Sequence, residues 1–202
     1  MQKIEQRRAP KQARSQQRVE DILAATLRLV GSRGNDAVSM RAIAAEAGVP
    51  VSSVYQYFPD KNALLRALIV RYMDVIRGYL VETIMGVTTI EQLVEAAGGL
   101  LDRLLQMFID EPSLASLWNA VTANTVLREY DMADTREIAE QLAAFTRTLA
   151  PDADESEVFD AALYLAHVVF YVMRIAYHAD ADERQRLMRE QKKLIALRLG
   201  AL

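Results

Sequence analysis

Residues 39–61 constrain the fold of this chain more than any other stretch; their sequence is SMRAIAAEAGVPVSSVYQYFPDK. Counting from Met40, the fifth place holds the small residue Ala44. The ninth place holds Gly48 and the fifteenth holds the apolar Val54. A small side chain lets a second helix cross closely, and glycine accepts the positive φ with which a helix often ends. The spacing therefore predicts a helix-turn-helix, followed at once by the start of another helix.

The second helix of this pair, predicted over residues 51–57, has a face that the packing leaves uncovered. A polar outer face of this kind suits contact with base edges in a DNA major groove. Gln56 can pair bidentately with adenine, and an exposed Val51 can touch a thymine methyl group. Tyr55 and Tyr57 can contact phosphates through their hydroxyls, although one of the two is alternatively a packing residue. The candidate DNA contacts of this helix are Val51, Ser52, Ser53, Tyr55, Gln56 and Tyr57.

Three flanking residues are further candidates for contact with the DNA backbone. Ser39 and Arg41 belong to the supporting helix, and Ser39 is also its predicted N-cap. Lys61 stands at a helix N-terminus, where backbone N–H groups already favour a phosphate. The alternative for Lys61 is an ordinary solvated lysine.

The charge of the chain is divided unevenly along its length. Residues 1–71 carry 12 basic and 6 acidic residues, a net charge of +6, whereas residues 72–202 carry 12 basic and 21 acidic residues, a net charge of −9. A basic N-terminal module on an acidic body is the electrostatic pattern expected of a DNA-binding protein. Residues 1–14 are predicted to form a flexible basic arm. Its Arg7, Arg8, Lys11 and Arg14 either enter a minor groove or only raise non-specific affinity, and both interpretations stay open.

Helical periodicity predicts an all-α protein. The chain has only 8 Gly and 5 Pro, and its apolar residues recur at helical spacing. Beyond the helix-turn-helix we expect Thr88 or Thr89, Asp131 or Asp134, and the acidic run before residue 156 to open helices. The predicted helices are 15–32, 40–47, 51–57, 61–85, 89–110, a segment around 114–121, one from 131 or 134 to 149, 156–179 and 182–199.

Several kinds of site and location are not expected. With no Cys, the chain has no disulfide, thiolate ligand or Cys nucleophile, which fits a reducing cytoplasm. His167 and His178 would lie about 16 Å apart on one helix, too far to share a metal. We expect no cofactor, no signal peptide and no membrane span, because the longest uncharged run, between Asp160 and Arg174, is shorter than the ~18 to 20 residues that cross a bilayer.

Residues 15–72 resemble the N-terminal domain of TetR-family transcriptional regulators. The resemblance is carried by RVEDILAATLRLVGSRG, by SMRAIAAEAGV and above all by VSSVYQYFPDKNALL, whose aromatic cluster precedes F-P-x-K-x-x-L-L. It implies a three-helix helix-turn-helix DNA-binding domain over residues 15–60, and a helical regulatory and dimerisation domain over residues 61–202. It also implies a homodimeric repressor that binds a palindromic double-stranded DNA operator and is released by a small molecule.

Within the C-terminal domain, large apolar side chains with a few polar tips suit a pocket for an apolar or aromatic effector, although they suit an ordinary core equally well. The candidate ligand-binding residues are Met107, Phe108, Trp118, Asn119, Thr122, Tyr164, His167 and Tyr171. The apolar helix 156–179 and the amphipathic helix 182–199 are predicted to form a four-helix bundle with a second copy. The candidate interface residues are Leu165, Val169, Val172, Leu187, Leu194 and Ile195.

Two other classes of protein stay open at this point. One is a helical DNA-binding adaptor without a small-molecule effector. The other is an all-α enzyme, for which the sequence offers no glycine-rich phosphate loop and no paired spacing of histidine and carboxylate. We therefore expect a protein that is not an enzyme.

Overall fold

The computed structural model describes residues 9–35 and 38–202, with side chains from residue 13 onward. This part of the chain is helical and contains no strand, so the predicted all-α class is confirmed. The helices are α1 (Ala9–Arg33), α2 (Met40–Glu46), α3 (Val51–Tyr57), α4 (Lys61–Ile84), α5 (Ile90–Asp110), α6 (Ser113–Ala123), α7 (Thr125–Leu149), α8 (Glu155–His178) and α9 (Ala181–Leu199).

The helix-turn-helix forms for the steric reasons that its sequence predicts. The Ser39 side chain caps α2 by accepting a hydrogen bond from the backbone N–H of Ala42. Gly48 has φ +65° in the turn, a conformation that other residues rarely adopt. Ala44 and Val54 are buried where α2 and α3 meet. Together these features fix the angle at which α3 leaves the core.

Helix α4 begins four residues after the last residue of α3 and extends through both halves of the molecule. Asp60 caps it by accepting a hydrogen bond from Ala63 N at 2.9 Å. Near its start, Leu64 and Leu65 are fully buried, and further along the helix Met73 and Ile76 are buried as well. One continuous apolar core therefore joins α1–α3 to the C-terminal helices through α4.

Two predicted helix boundaries are wrong. Helix α1 begins at Ala9 rather than near Ser15. Pro10 is compatible with this start because it falls in the first turn. Backbone N–H groups there have no intrahelical acceptor, so the N–H that proline lacks is not needed. Six residues of the predicted 1–14 arm are therefore helical; Lys11 and Arg14 lie on α1, and Arg7 and Arg8 lie outside the described residues.

The other boundary is the start of α7, which lies at Thr125 and not at Asp131 or Asp134. The Asn124 side chain supplies the cap, accepting a hydrogen bond from Leu127 N at 3.1 Å. Asp131 and Asp134 lie within the helix, and Asp134 pairs with Arg77 of α4 at 3.2 Å. The acidic residues therefore serve packing and ion pairing here rather than capping.

Helix α8 lies among α5, α7 and α9 in the C-terminal domain. By length and composition alone this 24-residue helix, whose most apolar 18-residue window has a mean hydropathy of 1.6, could cross a membrane, but a single helix of this kind is weak evidence for a span. An apolar helix that is covered on several sides within a bundle has the same composition. The packing of α8 against three neighbours accounts for part of its apolar character, since 28% of its most apolar 18-residue window is buried.

Helix α6 packs directly on α1, and Gly31 is the point of closest approach. A Cβ added at Gly31 would lie 2.8 Å from Ser113 Cβ and 3.1 Å from Ser113 Cα. These distances are shorter than normal van der Waals contact and involve backbone, so the neighbour cannot simply rotate away. The N-terminal helices α1–α3 and the C-terminal helices thus touch through α1 and α6 as well as through α4.

This contact predicts opposite effects for two glycine substitutions. Gly31→Ala is expected to lower the free energy of unfolding by about 1 to 2 kcal/mol, because overpacking outweighs the gain in helix propensity. Gly78→Ala, on an exposed face of α4 with nothing within 4 Å of the added Cβ, is expected to raise it by about 0.5 to 1 kcal/mol. Urea unfolding followed by circular dichroism measures both; equal stabilisation by the two substitutions would contradict a close α1–α6 contact.

Candidate nucleic-acid interface and apolar cavity

The outer face of α3 is exposed to solvent. Val51 and Tyr55 are 37% and 53% exposed. Ser52 and Gln56 are exposed as well, whereas Ser53 is half-buried. The residues predicted to contact bases are therefore accessible on one short helix whose other face, at Val54, is fixed in the core.

The two tyrosines of α3 differ in their surroundings. The Tyr57 hydroxyl lies 3.1 Å from Ser15 Oγ of α1, and its ring packs against the apolar core. Tyr55 points outward and is more than half exposed. Tyr57 therefore ties α3 to α1, while Tyr55 is the better placed of the two to contact a phosphate.

The flanking candidates have part of their hydrogen-bonding capacity already engaged. Lys61 Nζ donates to the Asn35 carbonyl oxygen at 3.0 Å, which links the start of α4 to the segment after α1. An ammonium group has three donors, so two are left for a phosphate. Ser39 Oγ accepts from Ala42 N at 3.2 Å, and its hydroxyl hydrogen is still free to donate. Arg41 is exposed on α2.

A cavity of about 120 Å³ lies among α4, α5, α7, α8 and α9. Its lining is almost wholly apolar, with threonines at 83 and 146 as the polar side chains. The Thr146 hydroxyl donates to the Leu142 carbonyl at 2.8 Å, so it has no need of a ligand acceptor. The cavity is suited to an apolar molecule, and its lining includes Ile76, Leu80, Ile84, Leu101, Val169 and Phe170.

The eight predicted ligand-binding residues do not converge on this cavity, and none of them lines it. Phe108 and Trp118 are buried in an aromatic cluster, with ring centroids 5.7 Å apart. Trp118 reaches the cavity only through Phe170, whose ring stacks on it at 5.9 Å. The remaining residues divide between core and surface: Met107 is buried, Asn119 and Tyr164 are exposed, and Thr122, His167 and Tyr171 line a second, neighbouring cavity together with Trp118.

The sequence does not predict the cavity because the residues that line it are spread over five helices and no local pattern marks them. Helices α4 and α5 contribute ordinary apolar stripe residues, which look the same whether they pack tightly or border a void. The space is left by small residues, chiefly Ala97, Ala162 and Ala166, on the inner faces of α5 and α8. Small residues on otherwise large apolar faces are the signal that could have indicated it.

Three of the six predicted interface residues are also misplaced. Leu165 and Ile195 are 8% and 5% exposed, and together with Val169 they line the apolar cavity, so they do not form an outer surface. Periodicity predicts that this helix is apolar, but it does not predict which of its faces packs against the other helices. The other three, Val172, Leu187 and Leu194, are half-buried.

A different stripe of α8 is uncovered. Tyr164, Tyr171 and Ile175 are 54%, 60% and 55% exposed, and spacings of 7 and 4 residues put them on one side of the helix. On α9, Leu197 is 75% exposed. A row of large exposed apolar side chains on one helix face, as on α8, is a candidate surface for contact with another protein.

The comparisons with known proteins agree with this geometry. Residues 22–68 match the family described as bacterial regulatory proteins, tetR family, and residues 91–201 match the tetracyclin repressor-like C-terminal domain. The HTH-type transcriptional repressor KstR of Rhodococcus jostii is 43% identical over 58 residues, which are 29% of this chain and 27% of that protein. KstR of Mycolicibacterium smegmatis is 47% identical over 49 residues, 24% of each chain. The chain thus matches about a quarter of the length of these curated relatives.

Several solved structures share the fold over nearly the whole chain. A transcriptional regulator from Pseudomonas aeruginosa has a TM-score of 0.75 at 20% identity, covering 92% of this chain and 90% of that one. FadR, the fatty acid degradation regulator of Bacillus halodurans, has a TM-score of 0.70 at 18% identity, covering 92% and 96%. SmeT in complex with triclosan has a TM-score of 0.70 at 20% identity, covering 91% and 90%.

The geometry of α3 and Lys61 predicts two different losses of DNA affinity. Gln56→Ala is expected to cost about 1 to 3 kcal/mol on a duplex selected from a random pool and to relax preference at one base position per half-site. Lys61→Ala is expected to weaken binding to all sequences and to reduce the salt slope by about 1 per phosphate contact. Fluorescence anisotropy over a salt series measures both.

Arg189→Ala serves as the charge control, because Arg189 is exposed on α9 and its loss changes net charge by the same amount. Thermal unfolding shows whether losing the bond from Lys61 to Asn35 has disturbed the fold. Wild-type affinity and specificity in both Gln56→Ala and Lys61→Ala would refute the assignment of this face to DNA.

Proposed function

The chain belongs to the TetR family of bacterial regulatory proteins, and from that membership we propose that it is a ligand-responsive transcriptional repressor acting in the cytoplasm. A homodimer binds a palindromic operator, and a small apolar or aromatic effector releases it. The similarity of a short stretch of the chain to two KstR repressors supports repression. SmeT bound to triclosan supports a small-molecule effector, and FadR is named for a role in fatty acid degradation. Regulators of this family are generally not enzymes, and we assign no catalytic activity.

The observation that carries this proposal is the double role of α4. Its first turn follows the exposed helix α3 directly, and its last turns line the apolar cavity through Ile76, Leu80 and Ile84. A molecule that fits the cavity only after α4 has shifted favours the shifted conformation, and it does so by the difference between its two affinities. Displacing α4 moves α3, and two α3 helices in a dimer then no longer match half-sites about 34 to 36 Å apart.

Contacts between α4 and α7 support transmission of such a shift. Asn124 Nδ2, at the start of α7, donates to Asn62 Oδ1 in the first turn of α4 at 3.0 Å. About four turns further along α4, Arg77 Nη2 pairs with Asp134 at 3.2 Å and with Glu137 at 3.6 Å. These contacts tie α4 to a second cavity-lining helix, so the two are expected to move together.

Filling the cavity tests the effector part of the proposal. Ala97→Phe places a ring in the apolar space and is expected to abolish effector-induced release while leaving effector-free operator binding within about threefold of wild type. Overpacking should cost about 1 to 3 kcal/mol of stability. Compounds are first screened by Trp118 fluorescence, since Trp118 is the only tryptophan and stacks on the cavity residue Phe170. A panel of apolar compounds, triclosan among them, is then tested for release of the labelled operator.

Ala133→Phe is the matched control, since Ala133 is exposed on α7 and does not line the cavity. Equal loss of response in both variants would indicate general damage rather than occupancy of the cavity. A wild-type protein that binds its operator identically in the presence of every compound would favour the adaptor without an effector.

The exposed stripe of α8 supports the homodimer. We propose that Tyr164, Tyr171 and Ile175 meet the same residues of a second copy, with α9 alongside, to form a four-helix bundle. This assignment replaces Leu165, Val169 and Ile195, whose side chains face the cavity. The half-buried Val172, Leu187 and Leu194 stay candidates for the edge of the interface.

Charge on this stripe is expected to separate the subunits. The double substitution Tyr164→Glu and Ile175→Glu should give a helical monomer at micromolar concentration that loses operator affinity, because a single DNA-binding domain contacts only one half-site. Sedimentation velocity measures the mass and circular dichroism the helicity. Val81→Glu, at a valine of α4 that is 57% exposed, is the control and should stay dimeric. A double variant that still sediments as a dimer would rule out this interface.

A further inference from the structure

A second cavity, of about 130 Å³, adjoins the apolar one and has different chemistry. It lies among α6, α7 and α8, and we call it the polar vestibule. Its lining includes two arginines, Arg128 and Arg174, together with Asp131 and His167. The apolar cavity has no charged lining residue, so the two spaces differ sharply in what they can hold.

The two spaces share one lining residue. Phe170 lines both the apolar cavity and the polar vestibule. Its ring stacks on Trp118 at 5.9 Å with an interplanar angle of 16°, an arrangement held by packing and not by a hydrogen bond. Because Phe170 is the one residue that lines both spaces, we expect a rotation of its ring to connect them.

The vestibule carries an excess of positive charge. Among the residues that the structure describes, neither Arg128 nor Arg174 has a carboxylate partner within 4.0 Å, whereas most other arginines of the regulatory half are paired. Arg174 rests near the Tyr171 ring, 5.7 Å from its centroid, which leaves its N–H groups available. Asp131 is the only carboxylate in the lining, and burial raises its pKa by disfavouring the charged form, against the opposing influence of Trp118 and His167.

We propose that the vestibule is the head-group site for an amphipathic effector whose anionic end binds Arg128 and Arg174 while its apolar body occupies the adjoining cavity past Phe170. This inference rests on the effector role proposed for the apolar cavity and specifies the chemical class of its ligand. Guanidinium groups match a carboxylate or phosphate in geometry and charge, and the half-buried position of Arg174 strengthens its hydrogen bonds, whereas Arg128 is exposed. The apolar body supplies affinity in proportion to the area it buries, and the head sets orientation.

Three probes with one chain length and different head charges test the inference on the full-length protein. They are decanoic acid, methyl decanoate and decylamine, which are titrated at neutral pH with Trp118 emission as the readout, because Trp118 borders the vestibule and stacks on Phe170. Decanoic acid is expected to bind about tenfold more tightly than its methyl ester, the factor that corresponds to one net charge-assisted hydrogen bond of about 1.4 kcal/mol. Decylamine is expected to bind most weakly.

Substitution of the arginines tests the placement of the head group. Arg174→Gln and Arg128→Gln keep a polar side chain but remove the charge, and each is expected to reduce the acid-to-ester affinity ratio by several fold while the affinity for the ester stays the same. A change of fold alone would alter both affinities together. Arg189→Gln, on the exposed face of α9, is the control and should keep the wild-type ratio.

The outcomes separate this inference from the proposed function. Equal binding of acid and ester, tighter binding of the amine, no binding of any probe, or an unchanged ratio in both arginine variants would each overturn the head-group site. If the acid binds with the expected preference and the arginine variants abolish that preference, the site stands even when the labelled operator is not released. In that last case the proposed control of DNA binding fails, and the vestibule is a ligand site with another consequence.

Discussion

The sharing of α4 between two halves of one apolar core is the constraint on which the other features depend. Leu64 and Leu65 are buried against α1–α3, while Met73 and Ile76 are buried among the C-terminal helices, and no break in the helix separates the two groups. A continuous helix cannot bend at a hinge between the halves without losing backbone hydrogen bonds. A change of packing near Ile76 must therefore appear at the start of α4, beside α3.

The cavity gives this shared core a place where a bound ligand can change the packing. A void of about 120 Å³ in a close-packed interior lowers the free energy of unfolding by roughly 3 kcal/mol, at about 24 cal/mol per Å³. A ligand that fills it recovers contacts that no side chain of the chain supplies. Because α4 forms one wall, the recovered contacts depend on where α4 stands, and this dependence is what couples occupancy of the cavity to the position of α3.

The features that the sequence predicts correctly are fixed by interactions between residues close together in the chain. The features that it does not predict depend on packing between distant helices. Gly48, Ser39 and Asp60 act within a few residues of themselves, so the helix-turn-helix and the start of α4 follow from local spacing. The start of α7 was misassigned because Asp131 looks like a cap, whereas Asn124 already supplies one. The cavity and the outer face of α8 depend on how five helices meet, and no local pattern records which of two apolar faces turns inward.

The two apolar faces of α8 explain why a single helix can serve both ligand and partner. At 100° per residue, Leu165 and Val169 point towards the cavity, and Tyr164, Tyr171 and Ile175 point about 120° away from them around the helix axis. Since the helix is rigid, a ligand that displaces one face displaces the other by the same amount. In a two-fold dimer that displacement is doubled across the interface. In the proposed dimer, an effector and a partner subunit would contact different sides of the same helix, and each is expected to alter the affinity of the other.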